Sequence, residues 1–166
     1  RGFRNLERLD FEPGARFNVI HGDNGAGKSN LLEAIHYMGS LRSFRGAKTE
    51  DIVRLHDSNA VMRARVAGDL AARTYTVGLE RGKARKLQLD DKRPRSLGAW
   101  HGTFPMVLFH PGDVELAGGS PELRRAFLDR ILEQLDPAYE SALGTYTKAL
   151  RSRNRLLKQD PIDARG

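Results

Sequence analysis

Two rhythms of apolar residues divide the chain. Val61-Met62-Arg63-Ala64-Arg65-Val66 and Arg73-Thr74-Tyr75-Thr76-Val77-Gly78-Leu79 alternate at period two, the spacing of strands with one buried face, joined around Gly68-Asp69. Residues 85–90 predict a third strand with Leu87 and Leu89 on one side, so the three form an antiparallel meander. Residues 17–20 (Phe-Asn-Val-Ile) and 104–109 (Phe-Pro-Met-Val-Leu-Phe) are short apolar runs of buried-strand composition, with Pro105 near the start of the second. Residues 1–12 alternate imperfectly around Phe3, Leu6, Leu9 and Phe11. They predict an irregular antiparallel strand pair beside the 17–20 strand, separated from it by a Pro13-Gly14 turn.

The second rhythm is helical. Leu31, Leu32, Ile35 and Met38 place one apolar face on a helix over 27–38, with Gly39-Ser40 as its glycine stop. Residues 51–55 predict a short helix or turn. Ser120-Pro121 gives an N-cap and a proline at the first helical position, ahead of a stripe of Leu123, Phe127, Leu128, Ile131, Leu132 and Leu135. Asp136-Pro137 repeats the signal before a helix carrying Tyr139, Leu143, Tyr146, Leu150, Leu156 and Leu157, a stripe suited to core or helix-pair packing.

The chemistry concentrates where the 17–20 strand meets the first helix. Gly22-Asp23-Asn24-Gly25-Ala26-Gly27-Lys28-Ser29 has the P-loop spacing G-x-x-x-x-G-K-[ST]. A strand, a glycine-rich turn and a helix N-terminus aim backbone N–H groups at one small volume, where the helix dipole also favours an anion. Lys28 is then placed to reach the β- and γ-phosphates of a nucleotide, and the Ser29 hydroxyl to ligate Mg²⁺. His110-Pro111-Gly112-Asp113 breaks the 104–109 strand sharply. Asp113 and His110 are candidates to sit beside the nucleotide and its metal, although an ordinary turn uses the same residue types.

Composition narrows the partners. The 166 residues amount to one domain's length, and the first is Arg1 rather than Met, which leads us to expect a fragment. There is no cysteine, so neither a disulfide framework nor a cysteine-held metal is available. No apolar run approaches the roughly 20 residues of a membrane span, and no signal-peptide pattern opens the chain, so a cytoplasmic location is expected. A net charge of +7, from 28 basic and 21 acidic side chains, favours polyanionic partners such as DNA or RNA. Arg42 and Arg45 either reach phosphate or flank a buried Phe44 as solvated side chains. Arg81, Lys83, Arg85, Lys86, Lys92, Arg93 and Arg95 form a basic hairpin margin with no aromatic interleaved, suited to a sugar–phosphate backbone or to solvent. Lys148, Arg151, Arg153, Arg155 and Lys158 either complement a helix C-terminus or face DNA.

With these segments in view, the chain resembles the RecF family, bacterial DNA replication and repair ATPases related to the heads of SMC proteins. Gly2-Phe3-Arg4-Asn5-Leu6, Asn18-Val19-Ile20 and the run from Asn24-Gly25-Ala26-Gly27-Lys28-Ser29-Asn30 through Leu31-Leu32-Glu33-Ala34-Ile35 are shared widely across RecF-like and SMC-like heads. Arg42-Ser43-Phe44-Arg45, Val107-Leu108-Phe109-His110-Pro111-Gly112-Asp113, and Gly119-Ser120-Pro121 through Asp136-Pro137-Ala138-Tyr139 are more specific to RecF, and Arg153-Asn154 and Leu156-Leu157 continue the match.

The resemblance implies an α/β fold with α+β elements: a P-loop NTPase, ABC-ATPase-like first lobe with an antiparallel meander and a C-terminal helix pair. Residues 1–118 would be the ATP-binding lobe and 119–166 the start of a truncated helical second lobe. It implies ATP and Mg²⁺ as cofactors, bound by Gly22, Asp23, Asn24, Gly25, Ala26, Gly27, Lys28, Ser29 and Asn30. Arg4 and Asn5 would lie near the nucleotide, and Ser29 and Asp113 at the metal. It further implies an ATP-dependent homodimer that binds single-stranded, gapped or junction DNA, acts with RecO and RecR in recombinational repair and supports SOS induction. Gly112 stands where the family pattern leads us to expect an acidic residue before Asp113. An ABC-type ATPase also needs a second acidic motif and a Ser/Gly-rich signature loop, and neither is read in these residues. We therefore expect this stretch to bind nucleotide but to turn it over poorly, with no catalytic residue of its own. The competing classes are the head of an SMC-like chromosome-organising ATPase, which would need long heptad repeats, and a P-loop small-molecule kinase.

Overall fold

A computed structural model describes residues 1–67, 71–101 and 104–159. They fall into two compact units, one built from 1–95 and 104–108, the other from 96–101 and 109–159.

The first unit is organised by the meander. β1 (Asn59–Val66), β2 (Arg73–Glu80) and β3 (Lys86–Leu89) pair antiparallel in the order β1-β2-β3. Period-two patterning sets which face is covered. Ala60, Met62, Tyr75, Val77 and Leu79 are buried. Leu87 and Leu89 lie opposite Val77 and Tyr75, on the same face, as their spacing predicted. The expected Gly68-Asp69 join lies outside the described residues. The first helix, α1 (Lys28–Ser40), lies against β1 and β2. Phe3, Tyr37, Met38, Leu41, Ile52 and Val53 complete the core, with the Phe3 and Tyr37 rings edge-on at 6.4 Å. A short α2 (Thr49–Ile52) takes the place of the helix expected over 51–55.

Three expectations need correction. α1 does not stop at Gly39. A Cβ there would lie 3.1 Å from the Phe104 carbonyl and 3.3 Å from Met106, so the glycine serves close packing. Leu41 caps the helix instead, left-handed at φ 55, with its N–H bonded to the Tyr37 carbonyl. Residues 1–12 are not a strand pair. Phe3 and Leu6 close a tight turn by exchanging backbone bonds of 3.1 and 2.8 Å, and the segment is stitched sideways to the end of α2 through Arg4 N–H to the Ile52 carbonyl.

The runs 17–20 and 104–109 are also not strands. A strand needs a neighbour to pair its backbone, and among the described residues none supplies a ladder. Phe17 is 92%, Val19 86%, Val107 96% and Phe109 83% exposed, the opposite of the buried-strand reading.

In the second unit, a 3₁₀ turn (Pro111–Val114) and α4 (Glu115–Gly118) lead into α5 (Pro121–Leu135) and α6 (Pro137–Gln159), and α3 (Leu97–His101) packs on the α5–α6 pair. Both helix starts fall where the Ser120-Pro121 and Asp136-Pro137 signals put them. Asp136 Oδ1 accepts the Ala138 N–H at 2.8 Å, and Tyr139 Oη donates to Asp129 across the pair at 2.6 Å. Trp100, His101 and Glu133 are buried here. The predicted apolar stripes are only partly covered: Leu128, Leu135, Tyr146, Leu156 and Leu157 are exposed, because nothing among the described residues packs over that side. Among the described residues no helix is long and apolar enough to cross a membrane.

Candidate nucleotide-phosphate site

The P-loop residues lead directly into α1 as the spacing predicts. Gly27 precedes the helix at φ 98 with no side-chain cap. The first helical return bond is Leu31 N–H to the Gly27 carbonyl at 2.9 Å, and among the described residues no backbone acceptor meets the N–H groups of Lys28, Ser29 and Asn30. These are the orphan donors of a helix N-terminus, and they open onto solvent beside an exposed glycine loop. Lys28 arcs back over that loop, its Nζ 2.7 Å from the carbonyls of both Gly22 and Asp23. One ammonium donor and the positive charge remain for an anion. Within the loop, Ala26 N–H bonds the Asp23 carbonyl at 3.2 Å, and Gly25 turns at φ 86. Asn24 and Ser29 are exposed.

The donor set fits a polyphosphate: unpartnered N–H groups, a cation and the positive end of a 13-residue helix converge on one place. It fits Mg²⁺ through the Ser29 hydroxyl, since that ion keeps several waters and takes one or two protein ligands plus phosphate oxygens. Among the described residues no three His, Cys, Asp or Glu side chains gather into a metal cluster.

The wall behind the loop is the N-terminal turn. Asn5 Nδ2 donates to the Gly25 carbonyl at 2.9 Å, and Asn5 Oδ1 accepts from Asn30 Nδ2 at 2.8 Å. Arg4 and Asn5, expected together near the nucleotide, point to different partners. Asn5 contacts the loop, whereas the Arg4 guanidinium turns to Glu33, with Nε–Oε2 at 3.1 Å and Nη2–Oε1 at 2.8 Å, and to the Asp51 carbonyl at 2.9 Å.

Glu33 is the residue that sequence reasoning missed. It is fully buried and also accepts from Ser43 Oγ, with Arg45 Nη1 3.4 Å away. Burial pushes its carboxyl up. The hydrogen bonds from Arg4 and Ser43, with the charges of Arg4 and Arg45, outweigh that and hold it below the usual glutamate range. The available signal was a lone carboxylate on an otherwise apolar helical turn, followed closely by Arg42 and Arg45. Phe44 stacks edge-on with His36 at 5.7 Å, and the Arg45 guanidinium lies 5.6 Å from the Phe44 ring centre.

Asp113 and His110 belong to the second unit. There Asp113 Oδ2 accepts the His110 N–H at 2.7 Å and His110 Nδ1 accepts the Gly112 N–H at 3.0 Å, a reciprocal cap on the 3₁₀ turn. The hairpin cations divide. Arg81 donates to the carbonyls of Glu50, Val53, Arg54 and Asp57, Arg85 to the Leu41 carbonyl, and Lys83 pairs with Glu80. Asp90 and Asp91 are taken by Arg73 and Arg63. The side chains of Lys86, Lys92, Arg93 and Arg95 are exposed, with no side-chain hydrogen bond or ion pair among the described residues.

Residues 1–94 match the sequence model of the RecF/RecN/SMC N terminal domain. The DNA replication and repair protein RecF of Citrifermentans bemidjiense is 36% identical over 156 residues, 94% of this chain and 43% of that protein. RecF of Geobacter sulfurreducens is 35% identical over 162 residues, 97% of this chain and 44% of that protein. The chain therefore spans less than half the length of these relatives. A solved structure of the recombination mediator protein RecF-ATPrS in the RecFOR pathway superposes with a TM-score of 0.91 at 33% identity, covering 100% of this chain and 45% of that one. A structure from work on ATP-driven dimerization and DNA stimulated activation of SMC ATPases superposes at 0.59 with 19% identity, over 79% of this chain and 95% of that one, a likeness of fold alone. The architecture is accordingly that of a P-loop, ABC-ATPase-like lobe with an antiparallel sheet. The chain belongs to the RecF/RecN/SMC N-terminal domain family, and within it to the RecF proteins.

Proposed function

We propose that this chain carries the nucleotide site of an ATP-dependent DNA-binding protein of recombinational repair and replication. The observation that carries the reading is the uncapped N-terminus of α1, where free N–H groups and the Lys28 ammonium face the same solvent-open loop. ATP bound there would present its phosphates to the N–H groups of residues 25–30 and to Lys28, and Ser29 would ligate Mg²⁺. Bound nucleotide supplies the charge and the contacts that distinguish one dimeric arrangement from another. Lys28 and the loop amides hold the phosphates, Asn5 braces the loop, and Asp113 is assigned to the metal's surroundings from the family resemblance. ATP binding one arrangement of a homodimer better than the other, with DNA preferring that same arrangement, couples the two ligands. The curated relatives are named as replication and repair proteins, and two solved relatives are described with ATP or ATPrS in the RecFOR pathway, which supports this assignment and RecO and RecR as partners. Single-stranded, gapped or junction DNA, a role in SOS induction and a cytoplasmic location complete the reading.

The test is the affinity of the full chain for gapped, duplex and single-stranded DNA, under ATP and under ADP, at two salt concentrations. Tighter binding under ATP supports the proposal. Equal affinity with both nucleotides, or no binding at moderate salt, contradicts it.

A further inference from the structure

An unbroken set of side-chain bonds runs from the P-loop into the interior of the first unit. It begins at the Gly25 carbonyl and passes through Asn5 and Asn30. Arg45 Nη1 donates to Asn30 Oδ1 at 2.8 Å and lies 3.4 Å from Glu33 Oε2. Glu33 then holds Arg4 by two bonds, and Arg4 is the residue before Asn5, which closes the circuit. The Asn5 end abuts the loop closely: a Cβ on Gly27 would fall 2.8 Å from Asn5 Oδ1 and 2.9 Å from Leu6 Cδ2.

We propose that Glu33, whose carboxylate bonds to Arg4 and Ser43 and to nothing in the 22–29 loop among the described residues, is a positioning residue for the phosphate site. It fixes Arg4 and Arg45, and these hold the Asn5–Asn30 pair that braces the Gly25 carbonyl. The local geometry gives each link a reason. Asn30 and Glu33 are three apart on α1 and so share one face, which lets Arg45 reach both. Arg4 sits at φ 55, a left-handed conformation that a non-glycine residue keeps only when its surroundings over-determine it. Its N–H on Ile52, its Nη1 on Asp51 and its two bonds to Glu33 do so, and they set the direction in which Asn5 leaves. A fully buried carboxylate between two guanidinium groups is a poor way to gain stability compared with apolar packing, but it holds two arginines at fixed angles.

The inference rests on the phosphate-site reading, and one experiment separates their failures. ADP and ATP are titrated calorimetrically, with Mg²⁺, into the wild-type full chain, Glu33→Gln, Asn5→Ala and the double variant. Glu33→Gln and Asn5→Ala each weaken nucleotide binding about tenfold at unchanged stoichiometry, and the double variant is no weaker than the weaker single one. A purely structural Glu33 would instead lower the binding-competent fraction and leave the affinity of the remainder intact. That outcome, native affinity in Glu33→Gln, or losses that simply multiply overturns the inference. Should Glu33→Gln fail to fold, Asn30→Ala interrupts the same circuit at a half-buried side chain, and native affinity there overturns it equally. A wild-type chain that binds neither nucleotide defeats the phosphate-site reading, and this inference with it.

Discussion

Asn5 Nδ2 lies 2.9 Å from the carbonyl oxygen of Gly25, so a residue near the start of the chain braces the outermost bend of the phosphate loop. The contact makes the N-terminal turn part of the site. It also fixes how much room Gly27 has, since the other end of the same amide stands where a Cβ would be.

Gly27→Ala should therefore destabilise the chain more than Gly25→Ala. Both residues have a left-handed φ, which costs a substituted side chain roughly 1–2 kcal/mol. Only Gly27 adds a collision, with Asn5 and Leu6, while a Cβ on Gly25 meets nothing within 4 Å. Urea unfolding of the two variants gives the comparison, and equal midpoints would contradict the packing account.

The hairpin cations should separate by what they hold. Arg81→Ala removes donors from four carbonyls and is expected to cost about 1–2 kcal/mol of stability. Lys92→Ala and Arg93→Ala should leave stability within about 0.5 kcal/mol. If DNA lies along this margin, each flattens the salt dependence of DNA affinity by roughly 0.7–0.9 in log–log slope. Thermal unfolding and a salt titration of DNA binding check both halves.

Glu33 predicts an acid signature. Burial alone would raise its pKa, but the bonds from Arg4 and Ser43 and the charges of Arg4 and Arg45 leave it depressed in the folded state. A depressed carboxyl contributes stability that is fully present above its unfolded pKa and is lost as pH falls through the folded one. Glu33→Gln should cost about 2 kcal/mol at pH 7, and the gap from wild type should narrow below about pH 4. Unfolding free energies at both pH values test this, and a constant gap would contradict it.

Phe17, Val19 and Val107 stand almost wholly in solvent, and no strand among the described residues pairs with their backbone. These 166 residues on their own should self-associate as concentration rises, since such surfaces seek apolar cover and strand partners. Phe17→Ser with Val107→Ser should suppress it, as read by light scattering.

These exposed residues also show where sequence reading reached its limit. Their apolar composition reads as buried strand, but whether a run becomes a strand depends on a neighbour that its own residues cannot specify. The meander was legible because alternation in 61–66, 73–79 and 87–89 supplies both the period and the partners. The α5 and α6 starts were legible because Ser120-Pro121 and Asp136-Pro137 are local signals. The P-loop was legible for the same reason. Glu33 was not, because its role arises from Arg4, Ser43 and Arg45, which approach it only in the fold. Arg81 misled in the opposite sense, since sequence shows its charge and hides the carbonyls it serves. Gly39 likewise reads as a helix stop until Phe104 and Met106 are seen against it.

On the reading proposed above, the loop before α1 holds nucleotide phosphate through Lys28. The most direct test is a titration of ATP and ADP, with Mg²⁺, into the wild-type chain and Lys28→Ala at equal ionic strength. Wild type should bind both nucleotides saturably and Lys28→Ala at least about tenfold more weakly, with the thermal midpoint nearly unchanged. Equal affinity in the two proteins would contradict this reading.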